Sequence, residues 1–174
     1  MIRLIKYSAD MVALIAVYFV FFFARWERRG KRTLLMNTLV YAYMCVIILV
    51  TLTPVIASLP YMFNHPYKRM NMRPFDDYFK GRGDTVRQIL LNVTMMVPFG
   101  FFLPAVKKRN LFLCALTTSL LSLSIELIQP LFNRASDITD LITNTAGGII
   151  GYLLCLIFRP LLRSIRGATK KLRA

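Results

Sequence analysis

Six polar side chains between Glu126 and Asn144 could do chemistry, three carboxylates, one guanidinium and two amides. They are Glu126, Gln129, Arg134, Asp137, Asp140 and Asn144, set in a stretch otherwise written in apolar letters. Carboxylates so grouped can move protons, ligate a divalent ion or accept hydrogen bonds from a cationic group. One Arg against three acids leaves a formal charge of −2, to be completed by a proton, a cationic ligand, a metal or a base from elsewhere in the chain. Spacing groups these residues further. Ser119, Ser122, Glu126 and Gln129 share one helical face, and Asp137, Asp140, Asn144, Gly147 and Gly151 share another. Asn92, in a neighbouring apolar segment, sits at a matching depth and joins the set.

Most catalytic templates do not fit. His65 is the one histidine, so paired His ligation within the chain is impossible and a Ser or Cys nucleophile has a single candidate base. No glycine-rich phosphate loop is present, and "TAGGIIG" lies inside an apolar segment. Cys45, Cys114 and Cys155 stand far apart in apolar runs and read as small buried hydrophobes. No cofactor is expected, and whether a metal binds is left open. A structural role competes for each polar residue. Ser136 and Asp137 suit the N-cap of a following helix, Gln129 and Asn144 suit bridges between helices, and Asp10 reads as the solvated end of a first helix. Taken jointly, Glu126, Asp140 and Asn144 favour a pocket. An ionised side chain costs about 2.5–3.5 kcal/mol at a bilayer centre, so intramembrane acids mark function by default.

The elements that must hold these residues are membrane helices. Of 174 residues, 56% are hydrophobic and only 18% charged, and the mean hydropathy is +0.53. Five apolar segments approach the ~20 residues a helix needs to span hydrocarbon: 8–24, 34–59, 88–106, 111–132 and 138–158. The expected fold is therefore an all-α, polytopic, multi-pass protein of the cell membrane. The five basic residues directly after the first segment, with no small-x-small site ending it, favour an uncleaved helix over a signal peptide. The net charge of +15 comes from clusters at segment ends, which suits headgroups and leaves nucleic acid without a motif. With five crossings, fourteen basic residues fall on one side and nine on the other. The positive-inside rule then sets the N-terminus outside and the C-terminus in the cytoplasm. The chain divides into two N-terminal helices (1–59), a region of loop plus three helices (60–158) and a basic cytoplasmic tail (159–174). In the third segment Pro98 kinks the helix and frees the Thr94 carbonyl, while Gly100 allows close approach.

The strings "NMRPFDDY", "LLNVTMMVPFGFFLP" and "IELIQPLFNRASDITDLITNTAGGIIGYLL" together resemble the VanZ-like family of bacterial membrane proteins. The matching positions are Asn71, Pro74 and Phe75; Asn92, Pro98 and Gly100; and Glu126, Gln129, Arg134, Asp137, Asp140, Asn144, Gly147, Gly148 and Gly151. The likeness covers residues 71–155, and the first two helices match only as apolar segments. It implies an envelope protein. The family is named for a member linked to low-level resistance to teicoplanin, a lipid-tailed glycopeptide antibiotic, and it implies no established reaction or cofactor.

Three expectations follow. The first is a non-catalytic or uncharacterised envelope protein whose outward-facing pocket engages a polar or cationic lipid headgroup, a lipid-linked wall precursor or a lipoglycopeptide. In it, the three acids supply charge, Arg134 holds them in register, and Asn92, Gln129 and Asn144 add hydrogen bonds. The second is a carboxylate- or metal-dependent enzyme acting on a lipid-linked substrate. The third is a structural partner of another membrane protein, with the polar stripe only joining helices. The bilayer is a partner in all three.

Overall fold

Helical sequence dominates because long apolar runs in hydrocarbon must satisfy their backbone internally. The computed structural model describes the backbone of residues 2–62, 64–106 and 110–171, and the side chains of 7–62, 64–104 and 110–159 within those stretches. Helix α1 (Ile2–Val17) runs through a π-helical segment, Tyr18–Phe23, into the short α2 (Ala24–Glu27). Gly30, at φ +97°, turns the chain into α3 (Lys31–Thr51). A 3-10 turn (Ile56–Tyr61) and the four-residue α4 (Asp76–Phe79) punctuate a long connection to α5 (Thr85–Val106). Helix α6 (Leu111–Ile128), a 3-10 turn (Gln129–Phe132) and α7 (Ile138–Lys171) complete the chain. Five spans are long and apolar enough to cross a membrane: Tyr7–Glu27, Lys31–Tyr61, Thr85–Pro104, Leu111–Phe132 and Ile138–Arg159. The helix of the last span continues through the basic segment after 158 to Lys171. The basic cluster at 107–109 and residues 172–174 of the tail lie outside the described residues.

Two expectations are corrected. The apolar run 34–59 is not one helix, because α3 ends at Thr51. Pro54 has no N–H to continue the ladder and disfavours helical geometry at Thr53. Most of the remaining apolar residues form the 3-10 turn instead. Asp10 is not a solvated helix end either. It is 5% exposed and its two carboxylate oxygens accept from Val55 N and Ile56 N, each at 2.8 Å. Breaking α3 inside apolar surroundings leaves amides without partners, and a carboxylate from α1 satisfies two of them.

Helix α5 is central and packs on α3, α6 and α7. Its contact with α7 is close because glycines line it. A Cβ on Gly151 would collide with the Val97 carbonyl, one on Gly147 with the Val93 carbonyl, and one on Gly100 with the Gly148 carbonyl. Cys114 and Thr118 of α6 fill the third side of this junction, and both are fully buried. Pro104 cannot bond back to Gly100, and the Cys114 thiol lies 3.8 Å from that Gly100 carbonyl. Ile47 and Leu52 from α3 and its end meet Met96, Phe99 and Leu103 of α5 in the same core. Helix α1 is held to α3 by Tyr41 Oη donating to the Leu14 carbonyl at 2.7 Å and by a Tyr18–Thr38 hydroxyl pair, also at 2.7 Å.

Candidate functional site

The end of α3, the first turns of α5, the end of α6 and the start of α7 meet at one end of the bundle. Asn71 docks the long connection there. Its backbone N donates to Ser136 O at 2.9 Å, its O accepts from Ile138 N at 3.0 Å, and its Nδ2 donates to Asp137 Oδ2 at 2.9 Å. Four residues on, Phe75 takes a left-handed φ of 58° and donates its N–H to Thr139 Oγ1 at 2.9 Å. Pro74, between them, restricts Arg73 to extended geometry and so helps set this turn. Beyond it, Lys80 Nζ lies 2.6 Å from Asp76 Oδ2 and holds that carboxyl below its ordinary range.

Asp137 is the N-cap of α7, with Oδ1 accepting from Thr139 N at 2.7 Å. Both of its oxygens are thereby bonded within the protein. Glu126, 2% exposed, reaches over from α6 and accepts from Asp137 N at 2.9 Å. The buried Ser136 hydroxyl sits beside this carboxyl without meeting hydrogen-bond geometry. Arg134 does not hold the acids in register. Among the described residues it forms no ion pair with Glu126, Asp137 or Asp140. Its guanidinium instead donates to the Thr51 carbonyl, as does Gln129 Nε2 at 3.3 Å. That carbonyl closes α3, where the helix dipole is negative and cations are favoured. The expectation overlooked the carbonyl end of a helix as a partner for this cation.

A cleft of about 810 Å³ lies among these elements. Asn92, Gln129, Arg134, Asp137 and Asp140 line it, together with Asn71 and Phe75. Asn92 Nδ2 donates to Asp140 Oδ1 at 2.7 Å, joining α5 to α7 across the cleft wall. Asp140 Oδ2 and Asn92 Oδ1 take no hydrogen bond from a described residue. They are acceptors open to an incoming donor.

Glu126 and Asn144 do not line the cleft. Asn144, 3% exposed, donates to Ser122 Oγ at 2.9 Å, while its Oδ1 has no partner among the described residues. The polar stripe thus separates into a packed seam, containing Glu126, Ser122 and Asn144, and an open wall, containing Asp140 and Asn92. Pro98 and Thr94 also line the cleft. One turn before Pro98, Tyr43 Oη donates to the Met95 carbonyl at 2.6 Å. Gly100, Gly147, Gly148 and Gly151 form the close helix contact behind the wall and touch nothing in the cleft. Among the described residues, no three His, Cys, Asp or Glu side chains are grouped to hold a metal ion.

Sequence reasoning passed over Tyr43, Thr51 and Thr139. Tyr43 is one aromatic among many in an apolar run, Thr51 contributes only its carbonyl, and Thr139 falls between the stripe positions. None carries a pattern signal.

Comparison with known proteins adds a family. The family described as VanZ/LLP1 matches residues 11–159. Protein VanZ of Enterococcus faecium is 38% identical over 95 residues, covering 53% of this chain and 56% of that protein. The chain thus spans about half the length of this curated relative. No solved structure matches it significantly.

Proposed function

The chain belongs to the VanZ/LLP1 family, and on that premise we propose that it is a cell-envelope membrane protein whose boundary cleft binds the polar part of an envelope ligand. The candidates are a lipid headgroup, a lipid-linked wall precursor and a lipoglycopeptide of the teicoplanin kind. The N-terminus and the cleft face outward, as the distribution of basic residues favours. The observation that supports this reading is the pairing of Asp140 with Asn92 on the wall of a cleft of about 810 Å³, each with an acceptor unused by the protein. Pockets of this size with a few convergent polar groups are the usual form of a binding site.

Titration of the purified full chain with teicoplanin and with lipid-linked wall precursor tests the reading. Wild type binds one of them, and Asp140→Asn, which keeps the shape and removes the charge, weakens binding about tenfold, as loss of a charge-assisted hydrogen bond would. No binding of either by wild type removes both as ligands, and equal binding by the variant removes the cleft as their site.

A further inference from the structure

The cleft wall changes character with depth. At about 1.5 Å of rise per residue, Asn92 lies about 10 Å and Pro98 about 20 Å along α5 from Thr85. The lining runs over that whole length, from Asp140 and Asn92 at the polar end to Tyr43, Met95 and Pro98 deeper in the span. Its flanks also open sideways. Val50 of α3 and Leu91 of α5 both line the cleft, yet they are 64% and 56% exposed. Exposed apolar side chains within membrane-spanning helices face lipid. The mouth between α3 and α5 therefore communicates with the bilayer as well as with its boundary.

A compact polar ligand would leave the deep apolar half of such a cleft filled by nothing complementary. A bare hydrocarbon chain would leave the Asp140 and Asn92 acceptors unpaired. Only an amphiphile matches both halves. The polar end also specifies the head. Arg134 is engaged by the Thr51 carbonyl, and Asp137 is bonded at both oxygens. Asp140 Oδ2 and Asn92 Oδ1 are free acceptors on the wall, which require a donor, and a carboxylate favours a cationic one, while the guanidinium N–H groups that Arg134 does not spend on Thr51 suit the phosphate of the same headgroup. We propose that the cleft is a laterally entered seat for a lipid with an amine-bearing headgroup, the amine at Asp140 and Asn92 and the chain along Tyr43, Met95 and Pro98. This rests on the cleft reading above and narrows it to a ligand class and a route of entry.

The test uses purified full-length protein in mild detergent, followed by native mass spectrometry. The probes are short-chain phosphatidylethanolamine, short-chain phosphatidylglycerol and chain-free glycerophosphoethanolamine. Phosphatidylethanolamine is expected to bind about tenfold more tightly than phosphatidylglycerol, the size of one charge-assisted contact. Asp140→Asn removes that preference. Val50→Trp, at the lipid-facing mouth, weakens binding of both lipids while the protein keeps its unfolding midpoint. Equal affinity for the two lipids in wild type overturns the amine. Glycerophosphoethanolamine binding as tightly as the full lipid overturns lateral entry. Either result leaves the cleft reading to its own titration with teicoplanin and wall precursor. If that titration is silent as well, both fall together.

Discussion

At the scale of single residues, buried polar groups in this protein mostly serve backbone. Asp10 shows it best, since one side chain satisfies two amides in the turn after α3. Each buried N–H left without a partner costs about 1–3 kcal/mol. Asp10→Ala orphans two and is expected to lower the unfolding midpoint in detergent well below wild type. Asp10→Asn keeps one acceptor oxygen and should lose less. An alanine variant with an unchanged midpoint would show that the turn is held by other contacts. Glu126, also buried, serves Asp137 N in the same way, and the exposed Arg134 likewise meets backbone, at the Thr51 carbonyl. The sequence signals that such residues need partners, because an unpaired charge in a span is costly. It does not signal the partner, because a backbone amide or carbonyl has the same letter as every other. The two stripes and their shared depth were therefore legible, whereas the division into packed seam and open wall was not.

At the scale of elements, glycine spacing decides how near α5 and α7 come. Gly147 and Gly151 were legible as a small-residue packing pair on α7, and Gly100 as a point of close approach on α5. Their counterparts, the Val93, Val97 and Gly148 carbonyls, are backbone and carry no sequence mark. Gly151→Leu has no room, because even its Cβ would strike the Val97 carbonyl. The helices must separate, which also displaces Asn92 from Asp140. The expected outcome is loss of most folded protein by size-exclusion chromatography in detergent, at a cost on the order of 3 kcal/mol or more. Gly83→Asn is the control. Gly83 has φ +61° and open space around it, and Asn tolerates that conformation. Its folded yield should match wild type. Hydropathy located all five spans but overran the end of α3. Apolar residues continue to Leu59 whether or not the backbone can stay helical, and Pro54 ends the helix without interrupting the hydropathy.

At the scale of the whole molecule, the cleft has a function in the envelope only if it faces the correct compartment. Helices α3 and α6 end there and α5 and α7 begin there, so the cleft shares its side with the start of α1 and with the connection carrying α4. The α2–α3 turn lies on the other side. In the orientation proposed above the α2–α3 turn is cytoplasmic, with fourteen basic residues on its side against nine on the cleft side. The contrast is modest because the α4 connection is itself basic. Several of its bases are already engaged near acids, with Arg82 and Arg87 each 3.8 Å from an Asp oxygen and Lys80 closer. Single cysteines test the orientation against a Cys45→Ala, Cys155→Ala background. Cys114 is buried and inaccessible to a polar reagent. Tyr78→Cys and Arg28→Cys place thiols at exposed positions on opposite sides. An impermeant maleimide should label Tyr78→Cys in intact cells and Arg28→Cys only after permeabilisation. The opposite pattern would put the cleft in the cytoplasm. Extracellular antibiotics and outward-facing wall precursors would then be out of reach, while a lipid arriving through the α3–α5 mouth would still have access from the inner leaflet.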